Sequence, residues 1–596
     1  MESNVVYLQT SDYDVAPSRN ALHFRDQFNK NKTIVTDFGI WMPQKGIEDF
    51  CRSVNTSIAW LIECVIAIVL THSHEDHAGM LPYIVRCGYR GPIYMTELCK
   101  SKCISNWLDD IGINARYGDF YYTEEDIKKT VKLIRCVHVG ERIELYHDSS
   151  VTVTVEVIDN GHLSDAVSYF FTFKRYGCQD NNILLTGDLK EKSSIKNIVP
   201  IPLSIREKKM TILLESTYGD TIRVINNTFE REITRTYRNG GNVVIPCITN
   251  DRTAEVIDRL LKMQDRGLIP RNAKIYVKGK LGKKHFFELM GSNIDFKEDF
   301  NVKSTNIVFM DGDMFDVVPQ GHFIMLVSPG MAQGGASLNA ITHECSNPRN
   351  LVMFTSYVPP TGIASKFINA RQGETIYIEN HGYYQINATV RQYEGFSGHN
   401  DLMANERFLK QFKDATAVIC NHGSKKAIES QCDAIETELG LKAYPASPDI
   451  AFRILPDGVK PIRHGAIVNG KAISVRKNSH PDIKNNPNGK QHHHKKTSKS
   501  HKGTRGRNYY KSSKRARRWS TEIIYSFFSF KKRVTLLSGS LLLMTNTIKK
   551  IQKLLEGFSN KQFSYFNYLP KYSIHFILAK LIFSSFKLFI LALLAT

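Results

Sequence analysis

The densest chemistry in the chain is the run His72-Ser73-His74-Glu75-Asp76-His77. Two histidines two positions apart at the end of a strand project from one face, and a following turn carries Asp76 and His77 to a second point beside them. Neutral imidazole and carboxylate are the donors that zinc takes in open, catalytic sites. A solvated, histidine-rich turn is the competing reading. It fits poorly, because the run lies between the apolar stretch 58–70 and the helix-like segment AGMLPYI.

Other candidate groups follow short apolar runs. Asp37 comes after Thr33-Ile34-Val35-Thr36, Asp188 after Ile183-Leu184-Leu185, and Glu215 after Thr211-Ile212-Leu213-Leu214. Functional side chains at strand ends are the usual site geometry of α/β folds. His162 sits in a Gly-His pair just past the Val/Thr alternation of 151–158. His399 and His422 stand in Phe396-Ser397-Gly398-His399 and Asn421-His422-Gly423. Taken singly these are weak. A Gly-His pair reads as a loop, Thr186-Gly187-Asp188 as a turn, Glu215 as a helix-cap neighbour or ion-pair partner, and His399 and His422 as surface or core histidines.

The elements that must position them alternate strand-like and helical stretches, which predicts an α/β fold. A second α/β unit runs from about 218 to 392. It has a strand at 242–247 leading to a helix over 252–263, a strand over 323–327 meeting Ser328-Pro329-Gly330-Met331, a strand over 351–354 and a turn at Gly362. After Gln392 the chain returns to the first unit. There is no internal repeat.

Length and composition agree. A chain of 596 residues with 42% apolar and 10% aromatic residues is not disordered, collagenous or a coiled coil, and it is too long for one ordinary core. Charge interrupts the longest apolar stretches, which excludes a multi-span membrane protein. Residues 483–596 carry 23 Lys/Arg against two Asp/Glu, a surplus equal to the net charge of the whole chain, +21, so residues 1–482 are neutral. Eleven cysteines, an odd number with no C-x-x-C pair, read as reduced thiols in a cytosol-like compartment. The amino-terminal residues lack the pattern of a secretory signal.

Taken in order, these motifs resemble the metallo-β-lactamase fold and, within it, the β-CASP nucleases. Asp37-Phe38-Gly39 is similar to the first family motif, HSHEDH to the second, Gly161-His162 to the third and Leu185-Thr186-Gly187-Asp188 to the fourth. Glu215-Ser216-Thr217-Tyr218-Gly219 resembles the signature that opens the β-CASP insertion, Ser328-Pro329-Gly330-Met331 one inside it, and the His399 and His422 motifs the two that close it. The resemblance covers about 1–460. It implies an αββα sandwich built from 1–217 and 396–465, an inserted β-CASP α/β domain over 218–395, a basic disordered linker over 466–518 and an apolar, basic tail over 519–596.

The resemblance also implies roles. His72, His74 and His162 would hold one zinc ion, Asp76, His77 and His422 a second, and Asp188 would bridge the two. Asp37 would orient a ligand, His399 would act as general acid, and Glu215 would fix its tautomer. Such a di-zinc-activated hydroxide suits phosphodiesters, because paired cations neutralise the charge that builds on phosphorus. RNA-processing members keep a histidine at the last motif where DNA-repair members carry valine, so His422 favours single-stranded RNA. The signatures look closer to the 3′-end-processing endonuclease subunit of cleavage-and-polyadenylation complexes and its prokaryotic relatives than to ribonuclease J. The rivals are a hydrolase of small esters or thioesters and a non-catalytic RNA-binding subunit of a processing complex. Ser397 and Ser337 are read as structural turn serines, with contact to substrate phosphate as the alternative.

Three positions depart from the family pattern. The glycine-rich stretch before the first motif is absent near Ser18-Arg19-Asn20, Asp165 stands where a small residue is common, and Ile248-Thr249-Asn250-Asp251-Arg252 lacks a customary glycine. Nothing in the resemblance covers the tail. Its 13 Lys/Arg between 484 and 518, interleaved with tyrosine, suit nucleic acid or an anionic membrane surface equally, and a solvated linker is the bland alternative. Residues 572–596, interrupted by Lys580 and Lys587, read as an amphipathic helix and not a span. A second copy of the chain is the other candidate partner. The compartment expected is the cytoplasm, with the nucleus or a membrane periphery as alternatives.

Overall fold

The computed structural model describes residues 4–9, 18–40, 62–117, 121–311, 322–356, 358, 362–447 and 450–463, with the backbone of 467–468 and 471–472. The tail beyond residue 472, with its basic stretch and its amphipathic helix, lies outside the described residues. Among the described residues no helix is long and apolar enough to cross a membrane.

The α/β expectation is met by three large sheets. In the first, strands β1 (Val5–Gln9), β2 (Asn20–Arg25), β3 (Asn31–Thr36), β4 (Val65–Val69), β5 (Ile93–Met95) and β6 (Ile134–Cys136) lie side by side in that order. The second carries β7 (Arg142–His147), β8 (Val151–Asp159), β9 (Val167–Arg175), β10 (Asn181–Leu185) and β11 (Met210–Glu215). Alternation decides which faces are buried. Val151, Val153, Val155 and Val157 of β8 point into the core while the intervening threonines and Glu156 are half-buried. Strands β10 and β11 are buried on both faces, with Ile183, Leu185 and Leu213 turned to the other sheet and Leu184, Ile212 and Leu214 to the covering helices.

The third sheet holds β12 (Val243–Pro246), β13 (Ile275–Lys278), β14 (Ile307–Met310), β15 (Ile324–Val327), β16 (Leu351–Phe354) and β19 (Thr389–Gln392), all parallel, after which the chain crosses back. A hairpin of β17 (Glu374–Ile378) and β18 (Gly382–Ile386) precedes the return. Strand β20 (Ala415–Asn421) then pairs in parallel with β11 and with β21 (Ala443–Pro445). The hairpin of β22 (Ile450–Leu455) and β23 (Gly458–Arg463) joins the free edge of β1.

The two larger sheets face each other. Tyr7, Leu22, Phe24 and Ile34 of one meet Val155, Phe171, Ile183, Leu213 and Ile419 of the other in one buried core. Helices cover both outer faces. Glu97–Tyr117 seals the first with Cys99, Cys103 and Trp107. Leu402–Leu409 and Lys425–Leu439 seal the second with Phe408, Ile428 and Ile435. This is a four-layer αββα sandwich. The third sheet has its own cores on both faces, one with Phe229, Ile257 and Leu260, the other with Ala332, Ile341 and Phe367.

Candidate active site

Each candidate ligand leaves a strand end or the turn after it. Strand β4 delivers His72 and His74, and one turn of helix, Glu75–Ala78, swings Asp76 and His77 round beside them. Strand β8 ends before His162, β10 before Asp188 and β20 before His422. Capped helices fix the two late loops. Asp401 Oδ1 accepts the Ala404 N–H two residues past His399, and Ser424 Oγ accepts the Ala427 N–H two residues past His422.

Seven side chains converge in two groups that share Asp188, and within each group the donor atoms lie within 4.8 Å of one another. In the first, His72 Nε2 and His162 Nε2 are 3.0 and 3.1 Å from His74 Nδ1, and each is 3.5 Å from Asp188 Oδ2. In the second, Asp188 Oδ1 lies 3.2 Å from His77 Nε2 and 3.1 Å from His422 Nδ1, while Asp76 Oδ2 is 3.8 and 3.6 Å from the Nε2 atoms of the same two histidines. A tetrahedral zinc shell with ligands near 2.05 Å has edges of about 3.3 Å, and both groups approach that spacing. His77 Nε2, Asp188 Oδ1 and His422 Nε2 are buried without a hydrogen-bond partner among the described residues. Orphaned buried donors and acceptors facing one point are costly unless something satisfies them, and divalent cations fit this donor set.

The electrostatics divide the site. Burial, followed by repulsion from the neighbouring rings, holds His72 and His162 well below the ordinary histidine range, so both are neutral, as ligands must be. Burial also pulls on His77, but Asp188, Asp37 and Asp76 outweigh it and hold its pKa well above the usual value. Asp188 is likewise penalised by burial, and the surrounding imidazoles keep it ionised.

Asp37 stands behind the ligands. Its Oδ2 lies 2.8 Å from His77 Nδ1, and its Oδ1 accepts the Thr71 N–H at 2.8 Å. That reach requires φ +60°, a conformation most side chains avoid. The next residue but one must be glycine, since a Cβ on Gly39 would fall 1.6 Å from the Asp76 carbonyl oxygen.

His399 forms the open wall. Its Nδ1 lies 2.9 Å from Glu215 Oε1, which also accepts the Leu189 N–H, while Glu215 Oε2 accepts the Thr217 N–H. This fully bonded carboxylate leaves the Nδ1–H tautomer as the one that fits, with Nε2 facing Asp188 Oδ2 at 3.9 Å. His399 and Asp76 keep 18% and 21% of their side chains exposed and His74 is partly exposed, whereas His72, His77, His162, Asp188 and His422 are buried, so access is from this side.

Several supports were not legible beforehand. Asn160 spans the base of the site, donating to the Asp188 and Thr186 carbonyls and accepting the His162 N–H. The three departures from the family pattern prove to be contacts. Ser18 and Arg19 tie the first motif to the second, through Ser18 N–H to the Asp76 carbonyl, the Gly39 N–H to the Ser18 carbonyl and the Arg19 guanidinium to the Gly39 carbonyl. Asp165 and Asp251 both bind Lys102, at 2.7 and 2.6 Å, and the three are sealed from solvent. Asp165 also accepts the Ser73 N–H between the two early histidines, and Asp251 the Ser164 N–H. The one sequence signal for Lys102 is its place on the buried stripe of its helix with Cys99, Cys103 and Asn106. Ser337 is fully buried and donates to the Gly334 carbonyl, so it is structural. Ser397 Oγ accepts the His399 N–H.

Comparison with known proteins adds two matched regions. Residues 253–366 match a Beta-Casp domain, and residues 383–445 match a Zn-dependent metallo-hydrolase RNA specificity domain. Transcription termination factor FttA of Lokiarchaeum is 27% identical over 401 residues, 63% of this chain and 60% of its own length. The FttA of Methanocaldococcus jannaschii is 26% identical over a similar span. Integrator complex subunit 11 of Gallus gallus is 24% identical over 491 residues, 73% of this chain and 76% of its own. The chain thus spans about 60% of the length of the archaeal relatives it matches.

Proposed function

We propose that the chain, with its matches to a Beta-Casp domain and a Zn-dependent metallo-hydrolase RNA specificity domain, is a metal-dependent phosphodiesterase of the metallo-β-lactamase-fold β-CASP family acting on single-stranded RNA. The observation that carries the proposal is the shared Asp188 at the centre of two donor groups, with the His399–Glu215 pair beside it. His72, His74, His162 and Asp188 would hold one zinc ion, and Asp76, His77, His422 and Asp188 a second. Bound there, the ions would polarise a phosphoryl oxygen and make a water acidic enough to attack at neutral pH.

The remaining work falls to the protein. Asp37 and Thr71 fix the His77 ring, and the Gly398 carbonyl, 2.7 Å from His162 Nδ1, fixes that ring from the other side. The sealed base around Asn160 and Asp188 excludes bulk water. His399 Nε2 faces the open side and can give a proton to the departing sugar oxygen, while Glu215 keeps the other nitrogen protonated and the ring oriented.

The test is metal analysis of the purified chain together with digestion of circular and end-labelled single-stranded RNA. His74→Ala and Asp188→Ala are expected to lose metal and all cleavage. Undiminished RNA cleavage in either variant refutes the assignment, and cleavage of the circle identifies an endonuclease.

A further inference from the structure

Three cations gather around the loop that carries His399. Arg223 donates through Nη2 to the His399 carbonyl, and Arg252 through Nη1 to the Phe396 carbonyl. Aromatic rings hold both guanidinium planes, Tyr218 at 4.8 Å and Phe396 at 5.5 Å. The Nε of each is buried and has no hydrogen-bond partner among the described residues. Lys190, two residues past Asp188 and half-buried, completes the group. Its neighbour Leu189 accepts the Asn400 N–H at 2.7 Å, which sets the Lys190 segment against the His399 loop, and Arg252, Arg223 and Lys297 all act on its charge.

Counter-charge is short here. Glu255, the carboxylate that bears most on Lys190, is already taken by Ser194 Oγ and by Arg252, whose Nε stands 3.4 Å away, and Asp401 by the Arg223 and Ala404 N–H groups. No hydrogen-bond acceptor or ion-pair partner within bonding distance meets the Lys190 ammonium among the described residues. Three half-buried cations with Glu255 and Asp401 as their counter-charge leave a positive surplus that an anion would satisfy. Planar guanidinium edges and a point-charged ammonium are the groups that grip phosphate.

We propose that Lys190, Arg223 and Arg252 form a subsite for a backbone phosphate of the RNA next to the one cleaved. The inference rests on the RNA reading above. The His399 loop ties the subsite to the reaction, since the same four residues touch both guanidiniums and, through the Gly398 carbonyl, the His162 ring. A phosphate seated there would set the register of the strand across the metal centre. The subsite also explains why a chain whose first 482 residues are neutral can hold a polyanion, by placing its positive charge locally.

The experiment uses the zinc-loaded full chain in a His399→Ala background, which keeps metal and leaves RNA uncut, and a fluorescent single-stranded RNA tetranucleotide titrated from 50 to 250 mM salt. Lys190→Met keeps the apolar stem and removes the charge, and Lys190→Arg keeps the charge. Lys190→Met is expected to weaken binding several-fold and to flatten the slope of log affinity against log salt by about 0.7, the value for one contact to single-stranded nucleic acid. Lys190→Arg should restore both, and a melting midpoint like that of the parent shows that each variant folds. An unchanged slope and affinity in Lys190→Met overturns the subsite. Parallel cleavage by the zinc-loaded parent separates the two ideas. Cleavage with an unchanged slope removes only the subsite, whereas absence of cleavage removes the RNA hydrolase reading whatever the slope does.

Discussion

Replacing Lys102 with methionine should make the fold acid-loving. Lys102 and Asp165 are fully buried and Asp251 nearly so, and each carboxylate keeps one backbone N–H besides the ammonium. Burial alone would raise the Asp165 pKa, but the Lys102 charge overrides it and brings it down to about 2. Without the ammonium, burial prevails, and one of the two carboxyls must take up a proton to stay inside. At pH 7 a group whose unfolded pKa is near 3.9 costs about 4 kcal/mol to protonate, which agrees with the 3–5 kcal/mol typical of breaking a buried ion pair.

The sign follows from linkage. The folded variant binds a proton that the unfolded chain lacks, so its stability falls as pH rises, by about 1.4 kcal/mol per unit. The parent is flat with respect to Asp165 in this range, because its depressed pKa contributes stability that is lost only as pH falls from about 4 toward 2. The deficit of Lys102→Met should therefore shrink to about 1.5 kcal/mol at pH 5. Urea unfolding followed by tryptophan fluorescence measures it, with Trp107 buried on the same helix. Lys102→Met/Asp165→Asn/Asp251→Asn should lose the pH dependence. A deficit of Lys102→Met under about 1 kcal/mol at pH 7, or one that does not change with pH, refutes the reasoning.

Two further outcomes are expected. His399→Ala should lower kcat on RNA by about 10²–10⁴-fold, the span of a general acid, while keeping the parent's metal content. Loss of metal in that variant would move His399 from the reaction into the ligand set. Gly39→Ala should cost about 3 kcal/mol or more, since its Cβ would meet backbone and not a yielding side chain. Metal content should fall with it, because Asp76 must shift. A variant with normal melting and full metal would refute the claim that the Asp37–Gly39 turn has no room for a side chain.

The parts of the site that could be read from the sequence are those where neighbours in the chain are neighbours in space. HSHEDH places four donors within six residues after an apolar strand, and the strands before Asp37, Asp188 and Glu215 announce themselves by composition. The Lys102–Asp165–Asp251 triad gave no such signal. Its members are 63 and 149 positions from Lys102, and their meeting depends on how a helix of the sandwich packs against the third sheet's domain. From the sequence, Asp165 and Asp251 were merely two deviations from a pattern, and the structure turns them into one contact. The same holds for β1, whose partners are β2 and β22. Hairpin proximity predicts the first and nothing local predicts the second. The element edges moved by a residue or two, as when the helix expected over 252–263 extends to Asp265.

The return of the chain onto β1 and β11 has a bearing on synthesis. A ribosome releases Asp37 early and His422 nearly four hundred codons later, and the β22–β23 hairpin later still. Until they emerge, the second donor group lacks one of its four members and β1 lacks an edge partner, so the site cannot close before the sandwich does. A chain stopped before His422 lacks that member for good, and the RNA cleavage proposed above is not expected of it.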